Sequence, residues 1–153
     1  MSSTEMLWSK NTELRFRDFD YLGHMTATSY LALLEEARVD WLAQATADQH
    51  PSYVVATQEL TFLAEILPSD GPVRITITPE LLTDHRYLVH EQIIGSGGTL
   101  HATSRALLVA WDREHRRPRV LTQTERDLLS GPSPTRAEHF RRDNMTGNEN
   151  PQS

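Results

Sequence analysis

Between residues 27 and 45 the chain carries one long helical pattern, and nothing like it recurs. Apolar residues fall at Ala27, Tyr30, Leu31, Leu34, Ala37, Trp41, Leu42 and Ala45, the three-and-four spacing of one helical face. Glu35, Glu36, Val39, Asp40 and Gln44 lie mostly elsewhere. Thr26 or Thr28 can cap the start, because a hydroxyl there accepts from an amide the helix leaves unpaired. His50-Pro51 is expected to end the segment, since the residue before proline is pushed out of the helical region. From Thr28 to Ala45 the helix would run roughly 27 Å at 1.5 Å per residue. Such a face has to be buried against another layer, and most of the chain beyond Pro51 reads as strand.

Val54–Leu67 is rich in β-formers and stops at Pro68, where Ser69-Asp70-Gly71 turns the chain. Val73–Leu82 alternates apolar and polar; its Pro79, which cannot donate to a ladder, predicts a bulge or an edge position. Tyr87–Ile94 runs into the glycine-rich hairpin turn Gly95-Ser96-Gly97-Gly98, and Thr99–Trp111 returns as a long strand. Asp112–Pro118 is charged and turn-like, and Val120–Leu129 is expected to hold a short last helix capped by Thr122 or Thr124. Ahead of the long helix, Thr12–Arg17 alternates with Leu14 and Phe16 on one face, which predicts a half-buried strand. One long helix among antiparallel strands with hairpin-length links is an α+β layer, a curved antiparallel sheet around one helix.

The domain so defined spans residues 11–129, after a flexible polar arm (1–10) and before a tail (130–153) whose Pro, Ser, Asn and charge predict disorder. At 153 residues the chain is one domain, long enough for a real core. A net charge of −6 argues against a nucleic-acid partner, whose binding surface needs positive charge. No apolar run approaches the roughly 18 residues of a membrane span, and the N-terminus lacks the pattern of a signal peptide. With no cysteine there is no disulfide framework, thiolate metal site or cysteine nucleophile. The expected location is cytoplasmic.

Chemistry concentrates just before the helix, where Asp18, Asp20 and His24 gather around Gly23. A helix N-terminus presents unpaired N–H groups and the positive end of its dipole. An acid/base residue beside those donors suits attack on a carbonyl. Asp18 is expected to hold the turn or pair with Arg15 or Arg17. Asp20 has a plainer role open to it, capping the turn, and His24 is open to orienting Asp20, contacting substrate or satisfying the loop. A metal on Asp18, Asp20 and His24 is disfavoured, because such residues crowd turns for structural reasons. A phosphatase of the haloacid dehalogenase type would need later lysine and acidic motifs in a βαβ setting, which are missing.

Arg17-x-x-Asp20-x-x-Gly23-His24, followed by Tyr30 and Glu36-Ala37-Arg38, resembles the motif of the hotdog-fold acyl-CoA thioesterases of the 4-hydroxybenzoyl-CoA thioesterase type. Leu60-x-Phe62-Leu63 and Arg117-Pro118-Arg119-Val120-Leu121 also resemble that family, and the likeness spans about residues 10 to 129. The resemblance implies a hotdog fold whose subunits pair through their sheets into a dimer or tetramer, with the acyl-CoA site at the interface. It implies that Asp20 is the nucleophile or general base and that the Ala27 backbone N–H polarises the thioester carbonyl. The chain departs from the family where many relatives carry Asn-Asn after His-Val: here stand Met25-Thr26-Ala27.

Thioester hydrolysis asks little of a protein, because a thiol with a pKa of about 8.5 leaves easily. A carboxylate and a placed oxyanion donor suffice, with no metal and no cofactor, coenzyme A being part of the substrate. Glu36 is a fallback base, as in another hotdog branch. Arg116 and Arg117 in the densest basic run, with Arg74 and Arg86 at strand ends, are the candidates for the phosphates of coenzyme A; the same residues also suit a solvated hairpin tip. The rival function is a non-catalytic module binding acyl-CoA or an acyl-carrier protein, and a hotdog hydratase/dehydratase fits the turn poorly. Whether coenzyme A or a carrier protein holds the acyl group is left open.

Overall fold

The long helix, α1, runs Ala27–Thr46 and is buried along Ser29, Tyr30, Leu33, Leu34, Ala37, Arg38, Trp41 and Leu42. That stripe is rotated from the one expected: Leu33 is inside, while Leu31, Ala27 and Ala45 face outward. The reason is Arg38, which takes an interior position that an apolar pattern cannot see. Its guanidinium donates from Nε and Nη2 to the two oxygens of Glu91, at 2.6 and 3.0 Å, and each residue is 1% exposed. Thr26 is the cap, its Oγ1 accepting from the Ser29 amide. The helix ends at Thr46, before His50-Pro51, with Ala47 left-handed at φ 58°.

The computed structural model describes residues 8–48 and 50–130. Residues 1–7 of the expected arm and 131–153 of the expected tail lie outside them. Residues 8–10, placed in the arm by the sequence, belong to β1 (Trp8–Thr12). The strand expected over Thr12–Arg17 is instead an extended link into one short turn of 3-10 helix at Phe16–Asp18, and Phe16 is 98% exposed. Asp18 causes this: its carboxylate folds back to accept from the Arg15 amide at 2.7 Å, closing a turn where a ladder would have continued.

The remaining strands are β2 (Tyr53–Phe62), β3 (Val73–Leu81), β4 (Arg86–Ile94), β5 (Leu100–Asp112) and the short β6 (Arg117–Pro118). They form one antiparallel sheet in the order β1-β3-β4-β5-β2, with β6 on β5. The sheet is curled around α1 as a half-barrel. Its inner face carries Ile75, Ile77, Val89, Ile93, Ala102, Ala106 and Leu108, all fully buried against the helix stripe. The small alanines of β5 leave volume for Leu33, Leu34 and Trp41. Pro79 lies past the described pairing of β1 with β3, which reaches Ile77, so among the described residues no β1 acceptor stands opposite it. Gly98 takes φ +92° in the β4–β5 turn. The last helix, α2 (Gln123–Leu129), is capped by Thr122, with Glu125 returning a bond to the Thr122 amide.

β2 is an edge strand. Nine of its ten residues pair with β5, Ala56 being skipped at a bulge, and among the described residues its other side is an open ladder.

Candidate active site at the turn before the long helix

Residues 18–26 form a small antiparallel loop that delivers the chain into α1. Phe19 and Met25 bridge across it, the Asp20 amide donates to the His24 carbonyl at 2.9 Å, and the Thr26 amide donates to the Asp18 carbonyl at 3.1 Å. Gly23 closes the tip at φ +80°, a conformation that costs side-chain-bearing residues energy. Asp20 is therefore fixed beside the strand that leads straight to the first turn of α1.

Asp20 is exposed, and its two oxygens differ. Oδ1 accepts from the Leu22 amide at 2.9 Å and the His24 amide at 3.0 Å. Oδ2 has no partner among the described residues. The carboxylate thus performs the turn-capping role and still presents one free oxygen. The Ala27 and Thr28 amides, first in the helix, are also without partners among the described residues, while Ser29 is satisfied by the Thr26 cap. A free carboxylate oxygen and free helix amides therefore flank the same short loop.

A cleft of about 380 Å³ adjoins Asp20, walled by Leu14, Phe16, Phe19, Tyr21 and Pro68 with Arg15 at its side. Phe16 and Tyr21 are 98% and 94% exposed. On the helix side, Tyr30 packs edge-on against Phe62 with ring centroids 4.9 Å apart. Burial holds the Tyr30 hydroxyl above its usual pKa, against the opposing effect of its hydrogen bond with the Ile66 backbone.

Of the other sequence candidates, His24 lies at the site, but its Nε2 faces Glu65 Oε2 at 3.7 Å. Asp18 is buried and bound to Arg15, one of its two expected partners. The Asp18 carboxylate in turn holds the Arg15 guanidinium above its ordinary pKa. Glu36 stands apart from the Asp20 cleft. It lines a second groove, of about 860 Å³, with Lys10, Val39 and Tyr53, and pairs with Arg15 Nη1 at 3.5 Å. Arg74 lies on β3 opposite Ile94, at the end of the sheet where the Pro68 loop meets the Asp20 cleft. Arg86 starts β4, about 26 Å away along the strand at 3.3 Å per residue. Arg116 and Arg117 share that far end in the β5–β6 hairpin, so within one subunit they are not brought to Asp20. Among the described residues, no three His, Asp or Glu side chains gather to hold a metal, and no helix is long and apolar enough to cross a membrane.

One site residue and one contact escaped the sequence. Glu65 reaches His24 from the link between β2 and β3, and Arg15, expected beside Asp18, also ties the turn to Glu36. Both contacts are made across the fold, and local spacing carries no sign of them.

Residues 14–131 match the family model of the thioesterase-like superfamily. The chain belongs to that superfamily. Solved structures similar to it include a thioesterase complexed with coenzyme A and Zn from Thermus thermophilus, 26% identical, TM-score 0.69, over 79% of this chain and 90% of that one. A predicted thioesterase from Bacillus stearothermophilus is 18% identical with a TM-score of 0.71, over 80% and 93% of the two chains. A 1,4-dihydroxy-2-naphthoyl-CoA thioesterase from Synechocystis is 16% identical with a TM-score of 0.69, over 80% and 95%. No curated protein matches the chain in sequence. The likeness places this thioesterase-like domain in the hotdog fold, a curled antiparallel sheet around its helix.

Proposed function

We propose that the protein is an acyl-CoA thioesterase of the 4-hydroxybenzoyl-CoA thioesterase type, with Asp20 as nucleophile or general base. The observation that carries this is the free Asp20 Oδ2, held on the loop that opens into the unpaired Ala27 and Thr28 amides. Asp20 attacks the thioester carbon or takes a proton from the water that does, and the oxyanion that forms is held by the Ala27 N–H. The helix dipole favours the same charge. The Met25-Thr26-Ala27 departure fits this layout, because Met25 is buried in the core and Thr26 supplies the cap, leaving Ala27 open.

We further propose that the working unit is at least a dimer joined through β2. The strand is long, carries one charged residue and no proline, and its bulge at Ala56 lies near one end, so Thr57–Phe62 remains a regular open edge. Antiparallel pairing of two β2 strands sets the Tyr53 end of one beside the Phe62 end of the other. Tyr53 pairs with Ala110, next to the β5–β6 hairpin, so the partner's basic run is carried toward the Asp20 end. In that arrangement Arg116 and Arg117 serve the coenzyme A phosphates of the neighbouring site. Sedimentation equilibrium is expected to give a dimer or tetramer mass, and a monomer at micromolar concentration would sink the shared-site arrangement.

The test of activity is thiol release from a panel of aliphatic and aromatic acyl-CoAs and acyl-carrier thioesters, by wild type beside Asp20→Asn. Wild type is expected to turn over, and the variant to fall by about a hundredfold or more, the scale of losing one catalytic group. Tight acyl-CoA binding with no thiol release by wild type would make the chain a binding module instead.

A further inference from the structure

We propose that the cleft at the far end of α1 binds a primary ammonium group carried on a short alkyl chain, at a site separate from the Asp20 loop. The helix sets the separation. The Asp20 loop opens into Ala27, and the cleft is walled by Leu42 and Thr46, roughly 28 Å further on at 1.5 Å per residue. The cleft measures about 670 Å³ and is bounded on its other sides by Tyr87 of β4, Trp111 of β5 and the start of α2.

Two independent observations point to a ligand there. The first is Tyr87, which is 2% exposed, yet its hydroxyl has no hydrogen-bond partner among the described residues. That oxygen is not sealed in the core but stands in the wall of the cleft. Burial holds the hydroxyl above its usual pKa, so it stays neutral, an oxygen able to accept a bond from whatever enters.

The second is the balance of charge. The last turn of α1 carries no basic residue, so nothing in the helix offsets its negative end or the carbonyls left unpaired there. Asp48, Asp112, Glu114 and Glu125 line the cleft against Arg113 and Arg119. Arg119 is held by Glu125 through two bonds of 2.7 Å, and Asp112 by the His115 ring at 2.8 Å and two amides. Asp48 and Glu114 are exposed and in no ion pair among the described residues, which leaves Arg113 to face them both.

This setting suits a cation with N–H donors. An ammonium group has three, one for the Tyr87 oxygen and others for the carboxylates and carbonyls around it. Its alkyl chain lies on Leu42 and Trp111, whose indole face also favours positive charge. A quaternary ammonium lacks the N–H donors and a neutral alcohol lacks the charge, so each matches the site only in part.

The test is a titration of the full chain with n-butylammonium chloride, read in amide NMR spectra. Tetramethylammonium chloride and n-butanol serve as comparators at equal ionic strength. Saturable binding with a Kd on the order of 1 mM is expected, with shifts at Thr46, Asp112 and Thr124 and none at Asp20 or His24. The comparators are expected to bind at least about fivefold more weakly, and Tyr87→Phe, which keeps the ring, to weaken n-butylammonium about tenfold. Should Tyr87→Phe fail to fold, the double change Asp48→Lys with Glu114→Lys, on two exposed side chains, is expected to abolish saturation. Shifts still linear at about 100 mM, equal affinity for n-butanol, shifts centred on the Asp20 loop, or undiminished binding by either variant would each overturn the proposal. The readout does not depend on thiol release, so loss of the thioesterase assignment would leave it standing.

Discussion

Replacing Arg38 by methionine is expected to be among the most damaging single changes in the molecule, although the side chain lies far from the Asp20 loop. Arg38 and Glu91 are both 1% exposed and joined by two bonds of 2.6 and 3.0 Å, so neither charge has water to fall back on. Removing one partner strands the other as a buried charge, which costs about 3–5 kcal/mol. Unfolding entropy of about 2.1 cal/mol/K per residue over about 120 described residues makes that a fall in Tm of about 12–20 °C. Against the 5–15 kcal/mol or so that holds a typical domain, the loss is large. The paired change Arg38→Met with Glu91→Leu removes both charges and is expected to recover most of the loss, since a buried pair offers little over apolar residues of similar volume. Calorimetry at one fixed protein concentration reads both, the concentration being held because subunit association adds to apparent stability. A single variant losing less than about 1 kcal/mol, or a double variant no better than the single, would refute the stranded-charge argument.

Gly95→Ala is expected to cost about 1–3 kcal/mol in urea titration, because the added Cβ would stand 2.5 Å from His101 Nε2 in a buried setting where the ring has little room to retreat; wild-type stability would show that the ring moves freely. The Arg119–Glu125 clamp predicts a pH signature. Burial alone would raise the Glu125 pKa, but the bonds from Arg119, both 2.7 Å, and from Thr122 outweigh it and hold the carboxyl below its ordinary 4.5. A carboxylate with a depressed folded pKa contributes stability above the ordinary value and loses it as pH falls through the lower one. Glu125→Gln is therefore expected to cost about 1 kcal/mol at neutral pH after allowance for solvent screening, with the gap to wild type closing below about pH 4.5; a gap constant down to pH 3 would count against it.

Much of the fold can be read from local pattern, because local chemistry decides it. Caps, proline and glycine announce themselves: Thr26 and Thr122 start their helices, Gly95 to Gly98 turns β4 into β5, and Pro79 sits beyond the last described β1 pair. The failures share one cause. Phe16 looked like an inward strand residue by alternation, yet Asp18 bonds back to the Arg15 amide and turns the chain first. Leu31 looked like core, yet Leu33 is inside in its place and the interior stripe runs through Arg38 because Glu91, far along the chain, is there to receive it.

The candidate site divides the same way. Asp20, Gly23, His24 and Ala27 lie within a few residues of one another, so their spacing alone determines that a carboxylate and an imidazole meet a helix N-terminus. Which Asp20 oxygen is free, that Glu65 stands by His24, that Glu36 opens onto a different groove, and that Arg74 and Arg86 lie at opposite ends of the sheet were decided only by the tertiary structure. A turn is set by bonds between near neighbours, and those are written in the order of the residues. A contact across the sheet depends on strand order and register, and these are settled only when the whole apolar face of α1 is buried at once.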